Sequence, residues 1–130
     1  MSQQRRDRPI WLTVAIWVLT ALVLAGVGMA GVGKLVDPDP WVTRFQERWG
    51  YPGWFALVVG TLEAGGSLAL LVPRIASYGG FLVLAVMLGA VGTHLTHAEL
   101  GSVPPPLTLA ILALTVALLR RQEAVGLLGP

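Results

Sequence analysis

The chain alternates four long apolar runs with short polar connections. The first run covers residues 10–33 and meets no charge until Lys34. The second covers 54–72 and is interrupted only by Glu63. The third covers 75–95, with His94 and His97 at its end, and the fourth covers 103–119, opened by Pro104, Pro105 and Pro106. A bilayer hydrocarbon core about 30 Å thick takes roughly 20 apolar residues of helix at about 1.5 Å each. Each run therefore predicts a membrane-crossing helix, the fourth close to the lower length limit. The expected fold is an all-α membrane protein, a bundle of four transmembrane helices.

The connections fit that reading. Val72-Pro73-Arg74 is a tight link, so the second and third runs predict an antiparallel hairpin. Gly101-Ser102 reads as a loop and N-cap before prolines that the first helical turn tolerates. After the breaker Asp37-Pro38-Asp39-Pro40, Trp41, Phe45 and Trp49 recur every four residues, with Arg44, Glu47 and Arg48 on other faces. This predicts a short amphipathic helix lying in the membrane interface. The alternative is a loop carrying belt aromatics.

Basic residues set the expected orientation. Arg5, Arg6, Arg8, Arg74, Arg120 and Arg121 fall on one side, against Lys34, Arg44 and Arg48 on the other. The reading is a multi-pass protein of the cell membrane with both termini cytoplasmic: a basic N-terminus at 1–9, a membrane domain at 10–121 and a tail at 122–130. Gly28-Met29-Ala30 imitates a signal-peptidase site, but the apolar stretch before Lys34 outruns the roughly 7–15 residues of a signal core. It is read as a retained span.

Composition sharpens the picture. The 130 residues suit one domain and are 55% hydrophobic and 12% charged, against roughly 25% charged in soluble proteins. A net charge of +2 gives no electrostatic footprint for nucleic acid. The absence of cysteine removes disulfides, thiolate nucleophiles, CxxC pairs and iron–sulfur clusters. Any redox role therefore rests on a bound molecule or a partner.

Ionisable groups inside spans are costly and become functional candidates. Glu63 falls near the middle of the second run, beside the small-residue seam Ala56-xxx-Gly60-xxx-Ala64, and so faces the bundle interior or a cavity. Lys34 closes a glycine-rich tract, and His94 follows Gly89 and Gly92, with His97 one turn on. In the four-span arrangement Lys34, Glu63 and His94 share the outer half, so an acid, a base and a cation converge. Structural alternatives stay open for each: an interfacial anchor for Lys34, headgroup-bonded rings for His94 and His97, and a protonated structural carboxyl for Glu63. Trp41, Phe45, Trp49, Tyr51 and Trp54 crowd the same interface. They suit a flat apolar ligand with a polar head, such as a quinone, or form an ordinary aromatic belt. His94-x-x-His97 with Glu63 or Glu99 supplies metal ligands on paper, yet neither a tightly bound metal nor haem is expected. No Ser-His-Asp order, phosphate loop or dinucleotide fingerprint is present.

Taken together, Ala30-Gly31-Val32-Gly33-Lys34-Leu35, Trp49-Gly50-Tyr51-Pro52-Gly53-Trp54, Gly60-Thr61-Leu62-Glu63-Ala64-Gly65-Gly66, Met87-Leu88-Gly89-Ala90 and Thr93-His94 resemble the DoxX-like family of small membrane proteins. The resemblance covers about residues 10–120. It implies a four-helix membrane bundle with Lys34, Glu63 and His94 at the positions that the family's motifs mark. The family's name also implies a link to quinone-dependent oxidation, beside a catalytic partner. The leading expectation is thus a membrane protein that binds a lipophilic molecule such as a quinone, or that supports a membrane or peripheral oxidoreductase. Glu63, His94 and Lys34 would carry the chemistry, with Trp41, Phe45, Trp49, Trp54 and His97 around the ligand. Two alternatives stand beside it. One is a membrane enzyme doing acid–base chemistry (isomerisation, cyclisation or epoxide opening), the other a structural assembly subunit. The seams at Gly60 and Gly89 leave open whether they pack within one chain or between copies in a homo-oligomer.

Overall fold

The computed structural model describes residues 8–125, and among these every regular element is helical. Helix α1 is Ile10–Val36, α2 is Asp39–Trp49, α3 is Gly53–Ala69 and α4 is Ala76–Thr96. A 3₁₀ turn, Leu100–Ser102, leads into α5, Pro104–Leu119, and α6 is Arg121–Val125. Three helical stretches are long and apolar enough to cross a bilayer: Ile10–Val36, Ala76–Thr96 and Leu100–Leu119. Helix α3 is also apolar but has 17 residues. It stops short of the end of its apolar run because the Leu70, Leu71 and Val72 amides bond to the carbonyls of Ser67, Leu68 and Ala69. This tightened turn runs into Pro73, which disfavours helical backbone at the residue before it.

The segment after α1 is helical, not a loop. Helix α2 starts inside the expected breaker, with Pro40 tolerated in its first turn, and ends at Gly50, whose φ of 70° suits glycine. Its aromatic face points inward: Phe45 is buried, and Trp41 and Trp49 are half-buried. Ser102, expected from sequence to cap α5, instead lies in the 3₁₀ turn, and the N-cap position belongs to Val103. With Pro104, Pro105 and Pro106 following, the first turn of α5 has few amide hydrogens left to cap.

Helix α1 changes neighbours along its length. Its N-terminal half packs on α5, and its C-terminal half packs on α3. Between the halves, Leu24–Gly28 forms a π-helical turn, closed by the Met29 amide donating to the Leu24 carbonyl. The core joins Val23 and Val27 of α1 to Leu70, to Val83 and Met87 of α4, and to Ala110, Ala113 and Val116 of α5. Helix α3 meets its neighbours through glycine. A Cβ on Gly31 would lie 2.6 Å from the Ala64 nitrogen, and one on Gly60 would lie 2.7 Å from the Lys34 Cβ. Nearer the turn, a Cβ on Gly79 would sit 2.6 Å from the Gly66 carbonyl oxygen. The Gly60 seam is therefore used within the chain.

At the turn end, the buried Arg120 donates from Nη1 to the Leu70 carbonyl at 2.9 Å and from Nε to Glu123 at 2.9 Å. Arg8 donates to the other oxygen of Glu123 at 2.7 Å. These bonds satisfy helix-end groups that would otherwise be orphaned. The expected tail from residue 122 thus begins as a docked helix; Arg5, Arg6 and residues 126–130 lie outside the described residues.

The glycine contacts make a stability prediction. Gly31→Ala and Gly60→Ala each force two backbones apart and should cost about 1–3 kcal/mol, the usual range for overpacking. Gly65→Ala on the same helix meets nothing within 4 Å and should be neutral or slightly stabilising. Thermal unfolding in detergent of the three variants measures the difference, and equal melting temperatures would contradict the packing argument.

Candidate functional site

Helices α3 and α4 touch through Gly66 and Gly79 near the turn that joins them. On the far side of that contact, a cleft of about 880 Å³ lies between them, crossed by α2 and reached by Lys34 from α1. Small-molecule sites commonly have this size.

The deepest polar group is an ion pair. Lys34 Nζ donates to Glu63 Oε2 at 2.8 Å, with both side chains only 6% exposed. The close glycine crossing sets this distance, because any side chain at Gly60 would collide with the stem of Lys34. Trp41 covers the ammonium group, its ring centroid 4.1 Å from Nζ, and the Arg44 guanidinium lies 5.1 Å from the same ring. A buried charge persists only when it is paired and hydrogen-bonded, and the ring adds attraction of about 2 kcal/mol where water is excluded.

A second cluster stands at the mouth. Glu99 Oε1 accepts from Arg48 Nε at 2.7 Å and from Trp49 Nε1 at 3.1 Å, while Oε2 lies 2.7 Å from His94 Nδ1. Chiefly the Arg48 hydrogen bond, then that of His94, lowers the Glu99 pKa to about 2. An ionised carboxylate only accepts, so His94 Nδ1 carries the hydrogen and a neutral ring keeps Nε2 as an acceptor. Ala98, in the left-handed region at φ 56°, turns the chain back so that Glu99 can reach His94. The Tyr51 hydroxyl lies 2.9 Å from the Thr93 hydroxyl, and Phe45 packs edge-on against Trp49 at 5.1 Å. Together these contacts strap α2 to the end of α4.

Lys34, Glu63, His94, Trp41, Phe45 and Trp49 all line the cleft. They divide into two groups: Lys34 pairs with Glu63, whereas His94 pairs with Glu99. Trp54 lies outside, 64% exposed and stacked edge-on against Phe55. His97 also lies outside the lining; its Nδ1 is 2.8 Å from the Thr93 carbonyl, to which it donates. The organising role of Glu99 is not legible from spacing alone. Its signal is modest: the sole acid in the connection after His94, five residues on. Among the described residues no three His, Cys, Asp or Glu side chains gather to hold a metal.

The arrangement offers a ligand two chemically different ends. The inner end has an ammonium with further hydrogens to donate and a carboxyl able to exchange a proton. The outer end has an imidazole and a row of aromatic faces.

The sequence model of the DoxX-like family matches residues 18–117. No curated protein and no solved structure matches.

The Glu99 strap has a pH signature. Because the folded carboxyl titrates at about 2 instead of 4.5, its contribution is fully present above 4.5 and is lost as pH falls toward 2. The melting-temperature gap between wild type and Glu99→Gln should close as pH falls from 4.5 toward 2. A gap that closed near neutral pH would place the strap elsewhere.

Proposed function

The chain belongs to the DoxX-like family, and we propose that this membrane protein binds a lipophilic small molecule with a polar, hydrogen-bonding head, a quinone being the leading candidate. The observation that carries this reading is the buried Lys34–Glu63 pair at the inner wall of an otherwise largely apolar cleft. The donor set fits a quinone head: Lys34 can donate to a carbonyl oxygen, Glu63 can exchange a proton, and Trp41, Phe45 and Trp49 offer flat surfaces. A bound quinone would supply two-electron chemistry that side chains without a thiol do not. Electrons would then pass to or from a membrane or peripheral oxidoreductase, which makes such a partner part of the same proposal.

The proposal includes four spans. Helix α3 lies against α1 at Gly31 and against α4 at Gly79, so it runs beside two helices that are long enough to cross. With α3 as a span, Arg8, Arg74, Arg120 and Arg121 share one end, and Lys34, Arg44 and Arg48 share the other. The positive-inside bias then puts both termini in the cytoplasm and α2 at the opposite interface.

Glu63 and His94 on one cleft also favour a second reading, acid–base catalysis on a lipophilic substrate. Turnover by the purified protein alone distinguishes it from binding.

Three measurements test the proposal. Lys34→Met or Glu63→Leu alone should destabilise by about 3–5 kcal/mol, because each leaves an unpaired buried charge, whereas the double variant should recover much of the loss. Wild type purified gently should retain a defined lipophile by mass spectrometry, and the folded double variant should not. Identical lipid backgrounds in both would make the pair purely structural. Topology is checked with single cysteines in this cysteine-free chain: one at Arg74 should be labelled only from the cytoplasmic side, and labelling from outside would invert the orientation.

A further inference from the structure

The cleft has two approaches, and they differ in kind. The first is from the end of the bundle, where α2 lies across it. This approach is strapped by the bonds of Arg48 and Trp49 to Glu99 and by the contact of Tyr51 with Thr93. A molecule arriving from water would have to part a charged hydrogen bond of 2.7 Å and move an aromatic cluster aside. The second is from the side, between α3 and α4. Leu62 and Leu82 line the cleft there and are each 37% exposed, Ala85 is exposed, and Gly89 has no atom within 4 Å of the place a Cβ would take. None of these four carries a polar side chain. They lie on the stretches of α3 and α4 read above as crossing the bilayer.

Chemistry runs in the same direction. The polar groups sit at the inner wall and under α2, while the side gap offers only hydrocarbon contact. An amphiphile that keeps its tail in lipid can slide its head inward across Leu62 and Leu82 without crossing a charge. A cleft of about 880 Å³ holds a head group and a short length of chain. A longer tail must remain outside, and the side gap is where it can do so at no cost in exposed apolar surface.

We propose that the cleft is loaded sideways from the bilayer, through the gap between α3 and α4, by a tailed lipophile whose head reaches the Lys34–Glu63 pair while its tail stays among the lipid chains. This rests on the reading of the cleft as a ligand site and adds the class of ligand: a bilayer-resident molecule with one flexible apolar tail, not a water-borne solute. Helix α2 is then a fixed roof over the bound head.

The test uses the full chain in lipid nanodiscs. Ala90, half-buried on the α4 wall of the cleft, is replaced by cysteine and labelled with a small bimane fluorophore; Val86→Cys serves as a second position, so that the result does not hang on one variant's folding. Quenching by lipids brominated along their acyl chains is compared with quenching by iodide in the aqueous phase. Sideways loading predicts that brominated chains remove most of the fluorescence at both positions while iodide removes little. Iodide quenching equal to or stronger than that of the brominated lipid overturns it, as does a probe that answers to neither. The outcomes separate from those of the binding proposal. A side-open cleft from which no small molecule is recovered sinks the ligand reading alone. A protein that retains a quinone but whose probes answer only to iodide sinks sideways loading alone.

Discussion

Two helices that cross at glycine bring an ammonium and a carboxylate to 2.8 Å in a place where water hardly reaches, and much of the remaining architecture serves that pair. Gly31 and Gly60 remove the side chains that would hold α1 and α3 apart. Trp41 closes over the ammonium. Helix α2 must lie across the bundle for Trp41 to be there, and it stays there because Glu99 draws Arg48, Trp49 and His94 together. Each element supports the next through a named contact. A buried ion pair adds little to stability against an apolar substitute.

The two ends of the molecule divide the labour. At the turn end the helices are drawn tight by Gly66 against Gly79 and Gly80 against Ala117, and Arg120 is buried on the Leu70 carbonyl. The apolar core sits toward this end, built of Val, Leu, Met and Ala side chains. At the other end α3 and α4 stand apart, and the space is walled by aliphatic and aromatic residues with a few charged groups among them.

Much of this was legible in the residues, for physical reasons. Charge-free runs mark helices because unpaired backbone cannot lie in hydrocarbon. Glu63 and Lys34 stood out because a charge in an apolar run needs a partner, and small residues at four-residue spacing pointed to the face on which that partner lay. The aromatic positions 41, 45 and 49 read correctly as one helical face. What escaped the sequence were features set by three-dimensional turns. Glu99 lies in a connection, where its reach back to His94 depends on the left-handed backbone of Ala98. Ser102 has the chemistry of an N-cap but lies inside a 3₁₀ turn. Trp54 and His97 share spacing with cleft residues, yet their positions around the helix turn them outward, and one residue's shift of about 100° is enough to do so.

The π-helical turn in α1 has a mechanical meaning. A regular helix keeps one angular phase from end to end, so its inward stripe can serve one set of neighbours. The extra residue at Leu24–Gly28 resets that phase midway. Upstream, Ile16, Thr20 and Val23 are aligned with α5; downstream, Gly31 and Lys34 are aligned with α3. One continuous rod thus behaves as two gears on a common shaft, and the angle between them aims the lysine.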